Sequence, residues 1–152
     1  MRAVVQRVLS SSVTVNGATV GEIGKGSMLL LGVCEGDTVK EAELLASKVA
    51  KLRVFEDENE KMNLSALDVD GEVLCISQFT LCADVKKGNR PSFTSSAAPD
   101  IANSLYEYFC ECLKKEGIKK VEKGIFGADM KVSLVNDGPV TIILDTDIWS
   151  KK

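Results

Sequence analysis

A chain of 152 residues with 45% hydrophobic and 27% charged residues has the composition of one soluble globular domain. Its formal net charge of −3 provides no overall positive field for nucleic acid, so any RNA contact must be local. The absence of histidine from the sequence excludes Ser-His-Asp and Cys-His nucleophiles, a histidine general base and most catalytic zinc sites.

Nothing in the sequence indicates a membrane span or a secretory signal. The apolar runs are too short to cross a bilayer, and Gln6 and Arg7 interrupt the apolar N-terminus. We therefore expect a cytoplasmic protein. Its five cysteines, an odd number without regular spacing, are expected to be reduced and buried as small apolar side chains.

The first third of the chain is expected to form strands joined by tight turns. Asn16-Gly17 is a strong hairpin signal, and the apolar run before Cys34 is typical of a central strand. The segment Gly24-Lys25-Gly26-Ser27 is interpreted as a plain turn, because a phosphate-binding loop needs lysine followed directly by serine or threonine. The predicted strands cover residues 2–9, 12–16, 18–23 and 28–34.

Two helices are predicted from their end signals. Thr38 and Glu41 have the spacing of a capping box, which opens the first helix. Pro99 and Gly117 are the start and stop signals of the second. The stripes expected to be buried are Val39, Ala42, Leu45, Ala46, Val49 and Leu52 in the first helix, and Ile101, Leu105, Phe109, Cys112 and Leu113 in the second.

Residues 73–81 form an apolar run that becomes polar in its middle without a turn residue. Their composition predicts a strand covered on both faces, and alternation places Ser77 and Phe79 on one face with Gln78 and Thr80 on the other. A buried hydroxyl or amide without a partner costs about 1–3 kcal/mol. These polar groups must therefore bond to neighbouring strands or line a cleft.

Three charged segments are candidates for binding. Residues 56–60 are acidic but lack the ligand spacing of a calcium loop, so we predict a solvated hairpin tip. Lys86, Lys87 and Arg90 lie close to one aromatic residue, a combination suited to a phosphate backbone and a stacked base, although solvated loops often have this composition too. The lysines within 114–123 are interpreted as a solvated helix end.

Two segments near the C-terminus depart from simple strand patterns. Residues 124–130 place small residues beside Phe126 and Met130, which would form the wall of a pocket. Residues 130–135 alternate as a strand, but Gly138-Pro139 interrupts the pattern that follows, because proline cannot donate a hydrogen bond within a sheet. From the residues alone we expect a trans bond there, since only about 5–6% of such bonds are cis.

Two of these segments carry a resemblance. Ser77-Gln78-Phe79-Thr80-Leu81 and Asn136-Asp137-Gly138-Pro139-Val140-Thr141 resemble the signature motifs of the D-aminoacyl-tRNA deacylase family. The similarity extends through Gln6-Arg7-Val8, Lys61-Met62-Asn63-Leu64, Arg90-Pro91-Ser92-Phe93 and Phe126-Gly127-Ala128-Asp129-Met130. It implies a homodimeric editing enzyme, without metal or cofactor, that hydrolyses the ester joining a D-amino acid to the terminal ribose of tRNA.

The resemblance implies how such an enzyme distinguishes D- from L-amino acids. The bond between Gly138 and Pro139 is expected to be cis and to enter the pocket of the partner subunit, where its backbone carbonyls exclude an L side chain. Phe126 and Met130 are the further expected substrate-binding residues, and Lys86, Lys87 and Arg90 are the expected tRNA contacts.

The catalytic residues implied by the resemblance are Ser77, Gln78, Phe79 and Thr80. Backbone N–H groups near Phe79 and Thr80 are expected to stabilise the oxyanion, and the neighbouring ribose hydroxyl of the tRNA is expected to orient or activate water. We disfavour Thr80 as a covalent nucleophile, because the sequence supplies no evident base.

We therefore expect residues 1–152 to form one α/β domain with largely antiparallel sheets, two main helices packed on one side, and a two-fold homodimer. The layered arrangement of the sheets is implied by the resemblance. The alternative function, from another class of protein, is a non-catalytic nucleic-acid-binding dimer that uses Lys86, Lys87 and Arg90.

Overall fold

This computed structural model describes residues 1–149, which contain eight β-strands and three α-helices. The strands are β1 (Arg2–Val15), β2 (Ala18–Ile23), β3 (Gly26–Gly32), β4 (Phe55–Glu56), β5 (Met62–Leu64), β6 (Glu72–Ser77), β7 (Val121–Lys123) and β8 (Lys131–Asp145). The helices are α1 (Val39–Lys51), α2 (Pro99–Glu116) and α3 (Thr146–Trp149), and a 3₁₀ helix covers Phe79–Cys82. Residues 150–152 of the expected domain lie outside the described part.

The main sheet is organised around β1, which is long enough to pair with three other strands. It pairs antiparallel with β2, β3 and β8, whereas β6 pairs parallel with β3 and β7. The short strands β4 and β5 form a separate antiparallel hairpin around the acidic segment. The expected α/β fold with mostly antiparallel strands is therefore present, and no helix within residues 1–149 has the length and apolar character needed to cross a membrane.

The prediction of two strands before Asn16 is wrong, because β1 continues through its three serines. Ser10, Ser11 and Ser12 remain paired with β8, and the buried Ser11 hydroxyl donates to the carbonyl of Ser133 at 2.8 Å. A polar side chain that is satisfied inside the sheet does not end a strand. The hairpin turn that follows is confirmed, with φ of 50° at Asn16 and 79° at Gly17.

Both predicted helices are confirmed with their end signals. Thr38 caps α1 through the predicted capping box with Glu41, and Gly117 ends α2 with φ of 113°. The predicted burial is wrong at two positions, since Val39 and Ile101 are 52% and 51% exposed. Both lie in the first turn of their helix, where the periodicity of the pattern does not indicate how far the core extends.

The core consists of two clusters of buried side chains. The larger one joins α1 and α2 to the sheet, with Phe109 fully buried, and contains Val73 and Cys75 of β6. The smaller one contains Leu74 and Ile76 from the same strand. Strand β6 is therefore buried on both faces, as its continuous apolar sequence predicts, and its C-terminal end is the part that leaves the core.

The expectation of five reduced cysteines is wrong for one pair. Cys34, after β3, and Cys82, at the end of the 3₁₀ helix, form a disulfide. The two segments come close at Gly32, where an added Cβ would lie 2.8 Å from the Cβ of Leu81. The other three cysteines are buried free thiols, and burial raises the pKa of Cys75 and Cys112, which keeps these thiols protonated.

Candidate active site

The first signature segment departs from the predicted strand. Strand β6 ends at Ser77, the last residue that pairs with β3, and Gln78 N–H still donates to the carbonyl of Leu31 at 2.8 Å. The 3₁₀ helix follows directly, so the predicted alternation of faces does not continue. Gln78 and Thr80, which alternation places on one face, remain neighbours in the 3₁₀ helix, and Gln78 Nε2 donates to Thr80 Oγ1 at 2.5 Å.

A cavity of about 500 Å³ lies at this end of β6, within the size range of small-molecule sites. Segments distant in the sequence form its walls: the end of β6, the start of α2, the loop before β8 and the first part of β8. The lining residues are Ile76, Ser77, Gln78, Phe79, Ser96, Ala97, Pro99, Ala102, Phe126, Gly127, Ala128, Asp129, Met130 and Val132. The structure thus brings the predicted residues Ser77, Gln78 and Phe79 together with Phe126 and Met130.

Phe79 forms a corner of the cavity and is fixed by two contacts. Its carbonyl accepts a hydrogen bond from Ser96 Oγ at 3.2 Å, and its ring meets that of Phe93 edge-on at 5.1 Å between centroids. The side chain is nevertheless 53% exposed. Its main chain is therefore held in place while one face of the ring remains available for contact.

The 3₁₀ helix supplies backbone donors at the edge of the cavity. Its hydrogen bonds begin with Leu81 N–H to the carbonyl of Gln78, followed by Ala83 N–H to that of Thr80. The N–H groups of Phe79 and Thr80 come before these and have no partner inside the helix. Such N–H groups are suited to a developing negative charge on oxygen; Phe79 lines the cavity, and Thr80 follows it outside the lining.

The second signature segment lies elsewhere on the chain. The bond between Gly138 and Pro139 is cis, the isomer that the resemblance implies, and both residues are exposed. Pairing of β8 with β1 skips from Asn136 to Thr141, so the intervening residues project from the ladder. Neither Gly138 nor Pro139 lines the cavity of its own chain.

Arg7 is a site residue to which the sequence analysis assigned no role. Its side chain is buried, its Nε donates to the carbonyl of Asp137 at 3.0 Å, and its Nη1 donates to that of Val54 at 2.8 Å. On the other side of the projecting segment, Asn136 Oδ1 accepts from Val140 N–H at 3.0 Å. Gly138 and Pro139 are thus held from both ends.

The predicted tRNA-binding loop is attached to the rim of the cavity. Lys86, Lys87 and Arg90 are exposed, and none of them forms an ion pair within residues 1–149. Phe93, at the end of the loop, is the residue whose ring contacts Phe79. By contrast, the second basic segment is neutralised locally, since Lys114, Lys119, Lys120 and Lys123 are paired with Glu111, Asp70, Glu72 and Glu107.

The sequence profile of the family described as D-Tyr-tRNA(Tyr) deacylase matches residues 4–145. The chain belongs to this family. Proteins named D-aminoacyl-tRNA deacylase from Sulfurihydrogenibium sp. (strain YO3AOP1) and Koribacter versatilis (strain Ellin345) are 59% and 58% identical to it over 146 residues. The alignments cover 96% of this chain and 98% and 97% of those relatives.

Two solved structures have the same fold as this chain. One, named c-Myc DNA Unwinding Element Binding Protein, is 46% identical with a TM-score of 0.91, and the match covers 95% of this chain and 98% of that one. Another, described as a structural analysis of a probable eukaryotic D-amino acid tRNA deacylase, is 18% identical with a TM-score of 0.79, covering 94% and 97% of the two chains, and shares the fold.

The polar side chains that line the cavity of this deacylase-family chain are Ser77, Gln78, Ser96 and Asp129, and the Asp129 carboxylate is paired with Lys131. No group of three or more His, Cys, Asp or Glu side chains within residues 1–149 is arranged to hold a metal ion. The side-chain partner of Thr80 is the neutral amide of Gln78. Ser96 and Ala97 were missed as lining residues, although the run of small residues before Pro99 is the kind of sequence that a cavity wall permits.

Proposed function

We propose that this chain hydrolyses the ester that joins a D-amino acid to the terminal ribose of tRNA, releasing the free amino acid and the tRNA. The observation that carries the proposal is the joining of Ser77, Gln78 and Phe79 with Phe126 and Met130 around one cavity. The names of the relatives support the choice of substrate. Residues 1–152 are proposed to form a single deacylase domain working in the cytoplasm, where aminoacyl-tRNA is used.

The proposed reaction depends on positioning an ester that is already activated. Its carbonyl oxygen lies toward the N–H groups of Phe79 and Thr80, and one such donor contributes about 10²–10³ in rate. The adjacent ribose hydroxyl donates and accepts hydrogen bonds, so it orients or activates the attacking water. Ser77 and Gln78 supply the polar part of the wall.

We propose that discrimination between D and L esters requires a second subunit. Gly138 and Pro139 are exposed and absent from the cavity of their own chain, and Ile143 and Val135 of the same strand are 76% and 52% exposed. A two-fold homodimer with layered sheets would cover these apolar side chains. It would also place Gly138 and Pro139 in the partner's cavity, where their carbonyls exclude an L side chain.

Single-turnover deacylation tests the proposed function. We expect D-tyrosyl-tRNA to be hydrolysed and L-tyrosyl-tRNA to be lost no faster than by spontaneous hydrolysis. Glycyl-tRNA should also be hydrolysed, because glycine has no side chain to exclude. If no ester is cleaved, hydrolysis is ruled out. Equal rates for the D and L esters would contradict chiral rejection, and a stable glycyl ester would contradict exclusion by backbone alone.

The same assay decides the alternative of a non-catalytic nucleic-acid-binding dimer. One observation favours that alternative, namely the 46% identical structure whose name describes a DNA-binding protein. Lys86, Lys87 and Arg90, which have no ion-pair partner within residues 1–149, would serve either function. A binding module would retain tRNA on the protein while leaving the ester intact.

Replacing Thr80 by alanine is expected to reduce the single-turnover rate by no more than about tenfold. The change removes one side-chain hydrogen bond with Gln78, which contributes about 0.5–1.5 kcal/mol, and keeps both backbone donors. Loss of a true nucleophile costs of the order of 10⁶ in rate. An inactive but folded Thr80→Ala variant, together with an acyl-enzyme trapped by acid quenching of the parent chain, would contradict this mechanism.

A further inference from the structure

Gly124 lies directly behind two walls of the cavity. Its φ is outside the left-handed region, so its backbone conformation suits any residue and glycine is required there only for space. An added Cβ would overlap Met130 Sδ and lie 3.2 Å from Ile76 Cδ1. Both of these side chains line the cavity.

Of the groups around that added carbon, Met130 is the one able to move. The backbone of Gly124 is held against β6, because its N–H donates to the carbonyl of Cys75 at 3.4 Å and the same carbonyl accepts from the Tyr106 hydroxyl at 2.7 Å. Ile76 is 2% exposed and packed in the smaller core cluster. The Met130 side chain is unbranched and half-buried, with the cavity as its open side.

We infer that Gly124 is a positioning residue that sets the depth of the cavity by leaving room for the Met130 thioether. The inference rests on the proposed function, since the occupant is the aminoacyl end of tRNA. One methylene more or less on a substrate changes its selection by a hydrophobic pocket by about 10–200-fold. Gly124→Ala should therefore weaken substrate binding, while the N–H groups of Phe79 and Thr80, and with them the rate at saturation, stay as they are.

The test compares four variants of the full chain in single-turnover deacylation of D-tyrosyl-tRNA over a range of enzyme concentrations. For Gly124→Ala we expect the half-saturating concentration to rise about tenfold or more with a nearly unchanged maximal rate. Met130→Ala removes the side chain that the added carbon displaces. The double variant should therefore bind the substrate nearly as well as Met130→Ala alone. Gly24→Ala is the control, because its Cβ would meet only Glu72 Oε1 at 3.6 Å, an ordinary contact.

A second measurement separates the inference from the proposed function. The chain has four methionines, so labelled methyl groups give four NMR signals, with that of Met130 assigned through Met130→Ala. Gly124→Ala should shift the Met130 signal and leave the others in place. An unshifted signal, wild-type binding by Gly124→Ala, or a loss that Met130→Ala does not relieve would overturn the inference. An inactive wild-type chain would instead overturn the proposed function, and the methyl signal would still decide whether Gly124 positions Met130.

Discussion

Replacement of Arg7 by methionine is expected to lower the free energy of unfolding by about 3–5 kcal/mol and to abolish discrimination between D and L esters. The guanidinium donates to the buried carbonyl of Val54 and to the carbonyl of Asp137, and each bond to a charged donor contributes about 1.5–3 kcal/mol. The nearby carboxylates of Glu56 and Asp137 are 49% and 42% exposed. Water therefore replaces most of the interaction that these carboxylates lose with Arg7. The cost thus comes mainly from the two carbonyls.

Loss of discrimination is expected because Arg7 fixes the segment that carries Gly138. The segment has no pairing with β1 between Asn136 and Thr141, and Arg7 is its link to the rest of the sheet on one side. Once the segment is released, the carbonyls of Gly138 and Pro139 no longer have a defined position in the partner's cavity. L-tyrosyl-tRNA should then be hydrolysed, at a rate approaching that of the D ester.

Urea unfolding and the paired D and L deacylation rates check this prediction, and two further variants bracket it. Arg7→Lys should be intermediate, because its single nitrogen cannot take the positions of both Nε and Nη1, which donate to two separate carbonyls. Arg53→Met is the matched control: Arg53 also donates to a carbonyl, that of Asn63, but it is exposed, so less than about 1 kcal/mol should be lost. Unchanged discrimination by a folded Arg7→Met variant would show that Arg7 does not position Gly138.

Local signals in the sequence were sufficient to predict the first hairpin turn and the ends of the two main helices. Asn16-Gly17, the capping box at Thr38 and the stop at Gly117 act through turn and cap geometry that neighbouring residues determine. The small residues around Phe126 predicted a pocket wall for a similar reason, since a segment without bulky side chains leaves space.

The features that the sequence did not predict depend on residues far away along the chain. The end of β6 coincides with the end of its pairing with β3. The serines of β1 stay in the sheet because they pair with β8, where the Ser133 carbonyl also accepts from the Ser11 hydroxyl. Cys34 and Cys82 meet only because two loops approach at Gly32. The position of Arg7 beneath the Gly138 segment likewise follows from the pairing of the first strand with the last. A pattern of neighbouring residues contains none of this information.

Removing the three cations of the loop, with the variant K86A/K87A/R90A, is expected to weaken tRNA binding and to flatten its dependence on salt. Each phosphate contact contributes about 0.7–0.9 to the slope of log affinity against log salt, so the loss should be up to about 2–3 in slope. The three side chains are exposed and have no ion-pair partner within residues 1–149, which leaves their charge available to phosphates. Binding measured between about 50 and 200 mM salt gives the slope.

Two comparisons show whether those cations act on the RNA backbone or on the reaction. Hydrolysis of a D-aminoacyl-adenosine, which has no phosphates, should proceed at the wild-type rate in the triple variant, because none of the three cations lines the cavity. The control K114A/K119A/K120A removes the same charge from lysines already paired with Glu111, Asp70 and Glu72, and it should leave the slope nearly unchanged. If both triple variants lower the slope equally, the loop contributes only its share of net charge. If neither does, the loop is solvated, and tRNA must be held by contacts at the cavity alone.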